Sequence, residues 1–358
     1  MKAAEGFRGI DGFRLAAAAM VVALHTSPLA SYSAGADWFL TRVLCRLAVP
    51  FFFTASGFFL VSRYQKDAGR LRRFLKKTAA LYGVGMLLYL PLNLYSGAFA
   101  GQNGLLRFLR SAVFEGTFYH LWYLPAALLG GSIAYFAVWR LGYRRAFLAA
   151  GALYVLGLLG DSYFGLAAQS PLLRRLYSQV FLLCGPTRNG LFFAPLFFVL
   201  GGWCAGSKQG WQKKGAAGDV CAFLLCFLLM AAEAVLLRAL GWPRQDSMLA
   251  FLPPCVLFLF RALCRIPGGR LAWAGSLSRN VYLLHPWVIV AVRAAARLLG
   301  LWRLLVENSA AHFLAVCLGS AAGGAVAAVF SKLRPPRKGS ASRERAWVEV
   351  NLKNLAHN

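Results

Sequence analysis

The chain has 358 residues, of which 59% are apolar and 14% are charged, with 39 Lys and Arg against 12 Asp and Glu. About a quarter of the residues of an ordinary soluble domain are charged, so this composition excludes that class. The apolar content also excludes a disordered chain. A net charge of +27 fits either a nucleic-acid surface or a membrane protein with basic cytoplasmic loops.

Apolar segments bounded by charged or turn-forming residues recur along the whole chain. Several are long, rich in aromatic residues and not alternating, which is typical of membrane-spanning helices rather than of barrel strands. We therefore predict an all-α, polytopic membrane protein with about ten transmembrane helices. The segments lie near residues 13–30, 38–62, 74–96, 118–139, 146–160, 190–206, 220–240, 248–263, 273–299 and 310–331.

The distribution of basic residues between the loops predicts the orientation in the membrane. With ten spans, one side of the membrane receives 27 of the 39 Lys and Arg residues, and this is the side of both termini. The positive-inside rule therefore predicts cytoplasmic N- and C-termini. Because orientation accounts for most of the excess charge, we expect a lipid bilayer rather than a nucleic acid as the partner.

The first span carries two ionisable residues, Arg14 and His25, and an ionisable residue inside a span is a candidate for function. Eleven residues at 100° each make three turns plus about 20°, so both side chains lie on one helix face, roughly 16 Å apart. A neutral histidine is suited to take a proton from an attacking hydroxyl as a general base. The alternative for His25 is a structural hydrogen bond between helices.

Two further histidines lie in predicted spans. His120 lies at the outer mouth of the fourth span, and His285 shares a helix face with Tyr282 three residues earlier. Three histidines are able to bind zinc, but no acidic residue lies at a compatible spacing, and the eight cysteines form no CxxC pair. We therefore expect no metal.

Two motifs near the second span have both structural and functional interpretations. Ser56 and Gly57 form a notch of small residues that lets a helix or a ligand approach the backbone. The basic stretch 70–77 contains Arg70, Arg72 and Arg73. It either anchors the helix on anionic lipid or recognises the phosphates of a cytoplasmic donor.

Taken in order, these residues resemble the acyltransferase-3 family of integral membrane proteins. The similar motifs are Ile10-Asp-Gly-Phe-Arg14 followed by an apolar run to His25, Phe53-Thr-Ala-Ser-Gly-Phe58, the basic stretch 70–77, His120-Leu-Trp-Tyr123 and Tyr282-Leu-Leu-His285. The similarity covers about residues 6–331, which gives an acyltransferase-3-like transmembrane domain over residues 1–331.

The resemblance implies transfer of an acyl group, commonly acetyl, from acyl-CoA to an extracytoplasmic hydroxyl, such as that of a glycan. It implies that His25 is the essential histidine with Arg14 as its partner. Arg70, Arg72 and Arg73 would lie near the CoA phosphates. The substrate groove would include Ser56, His120, Trp122, Tyr282 and His285.

The C-terminal residues carry a second resemblance. After a basic linker at 332–344, apolar and polar side chains alternate over residues 348–352, as in a strand, with a short interfacial tail as the alternative. Residues 345–358 resemble the opening of an alanine racemase domain. That domain binds pyridoxal phosphate through a lysine that these residues do not include. We therefore expect racemase activity, and pyridoxal phosphate, only where a full racemase domain follows.

The combination resembles the membrane half of the serine racemases of vancomycin-resistance operons. It leaves three functions open for this multi-pass protein of the cell membrane. The first is an acyltransferase, and the second is a membrane domain that serves L-serine uptake or supply without acyl transfer. The third is a plain anchor, against which the polar residues inside the spans argue.

Overall fold

A computed structural model shows that the protein is built from α-helices. It describes residues 7–61, 68–100, 103–207, 215–269 and 271–333, without the side chains of 272 and 328–333, and over these ranges it contains no strand. In chain order the helices are α1 (Arg8–Thr26), α2 (Ala34–Arg42), α3 (Ala48–Leu60), α4 (Ala68–Tyr95), α5 (Gly104–Arg110), α6 (Tyr123–Leu159), α7 (Phe164–Ala167), α8 (Pro171–Cys184), α9 (Ala194–Gly206), α10 (Ala216–Ala239), α11 (Leu252–Cys264), α12 (Ala272–Leu298) and α13 (Ser309–Leu333).

The fold confirms the prediction of an all-α polytopic membrane protein, since each of the ten apolar segments coincides with helix. Among the described residues, six helical stretches are long and apolar enough to cross a membrane, and α9 and α11 are shorter apolar helices. The six stretches are Ala34–Leu60, Ala68–Tyr95, Tyr123–Leu159, Ala216–Ala239, Trp273–Leu298 and Ser309–Ala327.

The fourth and fifth predicted spans correspond to the two helices that make up α6 and meet at a kink. The break between them lies at Gly142, whose φ of 77° and ψ of 168° are not helical. Glycine adopts a positive φ without steric cost because it has no Cβ. Gly142 therefore separates two helices, and the break lies inside the interval 140–145 that the sequence leaves between the two apolar segments.

Large apolar side chains on the outer surface match a lipid environment. On α10, Leu224, Leu225, Leu228 and Leu236 are each more than half exposed. A soluble monomer rarely leaves a continuous apolar face of this kind in water. In a bilayer these leucines contact hydrocarbon tails, so the exposed face of α10 is a lipid-facing surface.

Helices α3 and α9 pack backbone against backbone through a reciprocal pair of glycines. A Cβ added at Gly57 would lie 2.2 Å from the carbonyl oxygen of Phe198, and one added at Gly201 would lie 2.0 Å from that of Thr54. Small residues permit this approach between membrane helices. The predicted notch is confirmed for Gly57, which contacts α9.

Two buried carboxylates hold the loops at the end of the molecule that contains α7 and α8. One oxygen of Asp161 accepts hydrogen bonds from the backbone N–H groups of Ser247 and Met248. Glu233 accepts from the hydroxyl of Tyr163 and from the backbone N–H of Ala250. These bonds fix the loop between α10 and α11 against the C-terminal end of α6.

The C-terminal domain predictions fall mostly beyond the described part of the chain. Helix α13 runs to Leu333, two residues past the predicted boundary at 331. The rest of the linker at 332–344 and the racemase-like residues 345–358 lie outside the described residues. Those two predictions therefore stay predictions.

Candidate functional site

A cavity of about 1090 Å³ lies between α1, α3, α4, α6 and α12. Arg14 and His25 both line it, as expected from their shared helix face. Basic residues line it in two groups: Arg14, Lys77 and Arg279 on α1, α4 and α12, at what we call the inner end after the predicted orientation, and Arg42, Arg46 and Arg188, which interact with one another, at what we call the outer end. The wall between the ends includes Ser56, Tyr119, His120, Trp122, Tyr123 and Tyr282.

Arg14 is held in place by Asp11, one turn earlier on α1. The guanidinium donates to one carboxylate oxygen of Asp11 at 2.5 Å, and the other oxygen accepts the backbone N–H of Leu271 at 2.9 Å. Asp11 is buried, with 4% of its surface exposed, and it lies in the first turn of α1, where a negative charge is favoured. It therefore joins the start of α1 to the start of α12 and orients Arg14.

His25 lies near the end of α1, which stops where Ser27 adopts a left-handed conformation and Pro28 follows. Its ring stacks on that of His285, with centroids 5.2 Å apart and planes 22° apart. The ring of Tyr119 lies on another side, 4.8 Å away. The imidazole is thus held by two aromatic contacts while it lines the cavity.

The orientation of His285 follows from the proline after it. Pro286 has no N–H, so the carbonyl of Tyr282, four residues earlier, has no helical donor. Nδ1 of His285 lies 2.9 Å from that oxygen, and only an N–H makes a hydrogen bond to a carbonyl. Nδ1 therefore carries the proton, and Nε2 is an acceptor that has no partner among the described residues.

His120 lies in the turn before α6, with 2% of its surface exposed. Its backbone carbonyl accepts the hydroxyl of Tyr282 at 2.8 Å, and its ring lies 5.2 Å from the ring of His285. Neither ring nitrogen has a hydrogen-bond partner in the part of the chain that the structure describes. Such unpaired polar groups are uncommon in protein interiors, and here they border a cavity.

Ser56 lies on the cavity wall, where its side chain is hydrogen bonded to that of Tyr123. The adjacent Gly57 faces α9. One side of the notch therefore packs against a helix and the other faces the cavity. The sequence patterns did not single out Tyr123 as a site residue, although it closes the His120-Leu-Trp-Tyr123 motif.

The three arginines predicted to bind phosphate lie at the start of α4. Arg70 donates to the carbonyl of Phe59 at 3.3 Å, while Arg72 and Arg73 are exposed. None of the three lines the cavity; Lys77, further along the helix, does. Lys77 was part of the predicted basic stretch but not of the predicted site.

The sequence patterns also missed the outer arginines. Asp246 accepts from Arg42 at 3.2 Å and pairs with Arg46. The guanidinium of Arg188 lies 4.4 Å from the ring centre of Trp122. Arg42 and Arg46 are ionisable residues inside the predicted span 38–62. The criterion that identified Arg14 and His25 as candidates, an ionisable residue inside a span, therefore also applies to them.

Within the described ranges, no group of three or more His, Cys, Asp or Glu residues is arranged to bind a metal ion. The histidine side chains instead contact one another and aromatic rings. The ionisable groups that characterise the site are therefore the imidazoles of its histidines and the guanidiniums of its arginines.

The cavity has histidines on its wall and two groups of basic residues, and it lies inside a bundle of apolar helices. The family profile described as an acyltransferase domain matches residues 7–329. The chain therefore belongs to the acyltransferase-3 family and is a multi-pass membrane protein.

The similar characterised proteins are longer than this chain. An amino-acid racemase of Enterococcus faecalis is 43% identical over 358 residues, covering 99% of this chain and 50% of the relative. A serine/alanine racemase of Enterococcus gallinarum is 34% identical over 318 residues, covering 87% of this chain and 44% of the relative. The chain spans about half the length of these relatives. No solved structure matches it.

Proposed function

We propose that the protein transfers an acyl group, preferentially acetyl, from a cytoplasmic acyl-CoA to an extracytoplasmic hydroxyl acceptor at the cell membrane. One observation carries the proposal: His25 lies on the wall of a single cavity whose ends are both basic. Donor and acceptor are thereby able to approach the same imidazole from opposite sides. Membership of the acyltransferase-3 family supports the same reaction.

In the proposed reaction His25 acts as the general base. It accepts the proton of the acceptor hydroxyl while the hydroxyl oxygen bonds to the thioester carbon. The carbon–sulfur bond of acyl-CoA then breaks, and the proton passes from His25 to the departing thiolate. The products are the acylated acceptor and free CoA, so no further reactant is needed.

The inner end of the cavity supplies groups suited to the donor. Arg14 and Lys77 line it, and Arg70, Arg72 and Arg73 follow the same helix towards its start. Guanidinium groups match phosphate oxygens in pairs, which suits the phosphates of CoA. The distance of roughly 16 Å between Arg14 and His25 is one that the extended pantetheine arm bridges.

The direct test is thiol release from acetyl-CoA by the purified chain in lipid nanodiscs. We expect His25→Ala to lower the rate at least 100-fold, the usual effect of removing a general base. His312→Asn is the matched control, since His312 is buried on α13 and does not line the cavity. Equal rates for wild type and His25→Ala would contradict the proposal.

The second candidate is a membrane domain that serves L-serine uptake or supply for a racemase, without acyl transfer. This candidate is supported by the names of the relatives, which are racemases. These relatives are about twice as long as this chain. A racemase domain and its pyridoxal phosphate belong to this candidate. Saturable uptake of labelled L-serine into proteoliposomes, together with no thiol release, would favour it over the acyltransferase.

A further inference from the structure

The outer end of the cavity contains more positive than negative charge. Arg42 and Arg46 share a single carboxylate, Asp246. Arg188 has no carboxylate within ion-pair distance among the residues that the structure describes. Three guanidinium groups are therefore directly balanced by one carboxylate.

Arg188 is fixed by its surroundings. Its guanidinium lies over Trp122, and the neighbouring Asn189 folds the loop by accepting the backbone N–H groups of Leu191 and Phe192. Burial lowers the pKa of Arg188 to about 10, so it stays charged at neutral pH. Its Nε, like that of Arg46, is buried without an acceptor among the described residues.

The other nearby carboxylate, Asp161, offsets part of this charge, but three guanidinium groups against two carboxylates still leave one positive charge in excess. Asp161 interacts electrostatically with Arg188 and Arg46 but forms no ion pair with either within the described ranges. Its Oδ1 already accepts two backbone N–H groups and the hydroxyl of Ser162. Removing a guanidinium from water without a matching carboxylate is costly, and Arg188 is half-buried without one within the described ranges, so its positive charge beside the cavity points to a ligand of opposite charge.

We propose that Arg188 and Arg46 bind an oxoanion, a carboxylate or a phosphate, of the molecule that enters the outer end of the cavity. Both residues line the cavity together with His25, which is close enough to interact electrostatically with them. The fork of an arginine side chain matches the two oxygens of such a group. Under the proposed acyltransferase function, on which this assignment of the ligand rests, the acceptor is an acidic hydroxy compound rather than a neutral one.

The test compares small probes that differ in charge. Glycolate carries a hydroxyl and a carboxylate, glycolamide is its neutral counterpart, and inorganic phosphate represents the other oxoanion. NMR titrations on the chain in nanodiscs, without CoA, give the affinities: saturation transfer to the ligand protons for glycolate and glycolamide, and 31P line broadening for phosphate. We expect glycolate or phosphate to bind at least tenfold more tightly than glycolamide, and the preferred anion identifies the group.

Variants locate the binding. Arg188→Gln should lower the affinity for the preferred anion at least tenfold. Arg188→Lys should lower it less, because the positive charge is kept. Arg244→Gln is the matched control, since Arg244 also lies over an aromatic ring, Phe181, but does not line this cavity. Equal affinity of wild type and Arg188→Gln, or equal binding of glycolate and glycolamide, would overturn the proposal. A folding defect in Arg188→Gln would leave Arg188→Lys and the probe comparison to decide.

The outcomes also separate this inference from the proposed function. If His25→Ala loses thiol release but the Arg188 variants bind the anion as tightly as the wild type, only the proposed oxoanion site is overturned. If anion binding depends on Arg188 but the wild-type chain releases no thiol, the proposed acyltransferase function is overturned. The oxoanion site is then supported and serves another process.

Discussion

Nδ1 of His285 lies 2.9 Å from the carbonyl oxygen of Tyr282, in the hydrogen-bond position that Pro286 leaves without a donor. One helix-breaking residue thus fixes the proton position of a histidine that stacks on His25. The proline is therefore part of the site although its own side chain performs no chemistry.

Pro286→Ala should lower the rate of acyl transfer about tenfold, a change of about 1.4 kcal/mol in the activation free energy. The restored N–H competes with His285 for the Tyr282 carbonyl, so the ring loses its orientation. Thiol release from acetyl-CoA measures the effect. Pro91→Ala in α4 is the control, because it also restores a helical N–H but has no histidine beside it; equal losses in both variants would contradict the interpretation.

Lys77→Gln should raise the KM for acetyl-CoA about fivefold, with little change in kcat. Lys77 lines the inner end of the cavity, where its charge attracts the phosphates of the donor. Steady-state kinetics at low and high salt check this, since screening should reduce the difference. The control is Arg140→Gln, whose guanidinium lies over Trp139 away from this cavity. A KM that is the same in wild type and Lys77→Gln would remove Lys77 from the donor site.

Gly57→Ala should destabilise the bundle, since the new methyl group would lie 2.2 Å from a backbone oxygen of α9. Forced overpacking of this kind costs about 1–3 kcal/mol. Thermal unfolding in detergent measures the loss. Gly151→Ala in α6 has no atom within 4 Å of the added carbon, so its unfolding midpoint should stay at or above that of the wild type.

Asp161 should make stability fall as the pH rises from about 4 to about 6. Burial raises the pKa of Asp161 from 3.8 to about 6, so the folded protein keeps a proton that the unfolded chain releases over this interval. A shift of two units corresponds to about 2–3 kcal/mol. Unfolding midpoints against pH should decline more steeply for the wild type than for Asp161→Asn. Parallel curves would show that another group is responsible.

Helical arithmetic was sufficient for the relations within one element. The shared face of Arg14 and His25 follows from eleven residues at 100° each, and both line one cavity. The pairing of Asp11 with Arg14 has the same kind of local signal, three residues along the helix, and was open to prediction.

Contacts between residues that are far apart in the sequence have no such local pattern from which to predict them. Arg46 and Arg188 are 142 positions apart, on a short turn before α3 and in the loop before α9. Only the packing of the helices brings them to one end of the cavity. The break at Gly142, by contrast, lies in the polar interval between two predicted spans, so the sequence located it.

The two basic ends of the cavity have a consequence for the energy supply of the cell. A water-filled space inside a membrane domain is a potential leak for protons and sodium ions, which would dissipate the gradients that drive transport. Here a cation meets Arg14 and Lys77 from one side and Arg46 and Arg188 from the other. Fixed positive charge of this kind forms an electrostatic barrier to cations, as it does in water channels. The charges that we propose to bind anionic substrates would therefore also oppose the leak of cations across the membrane.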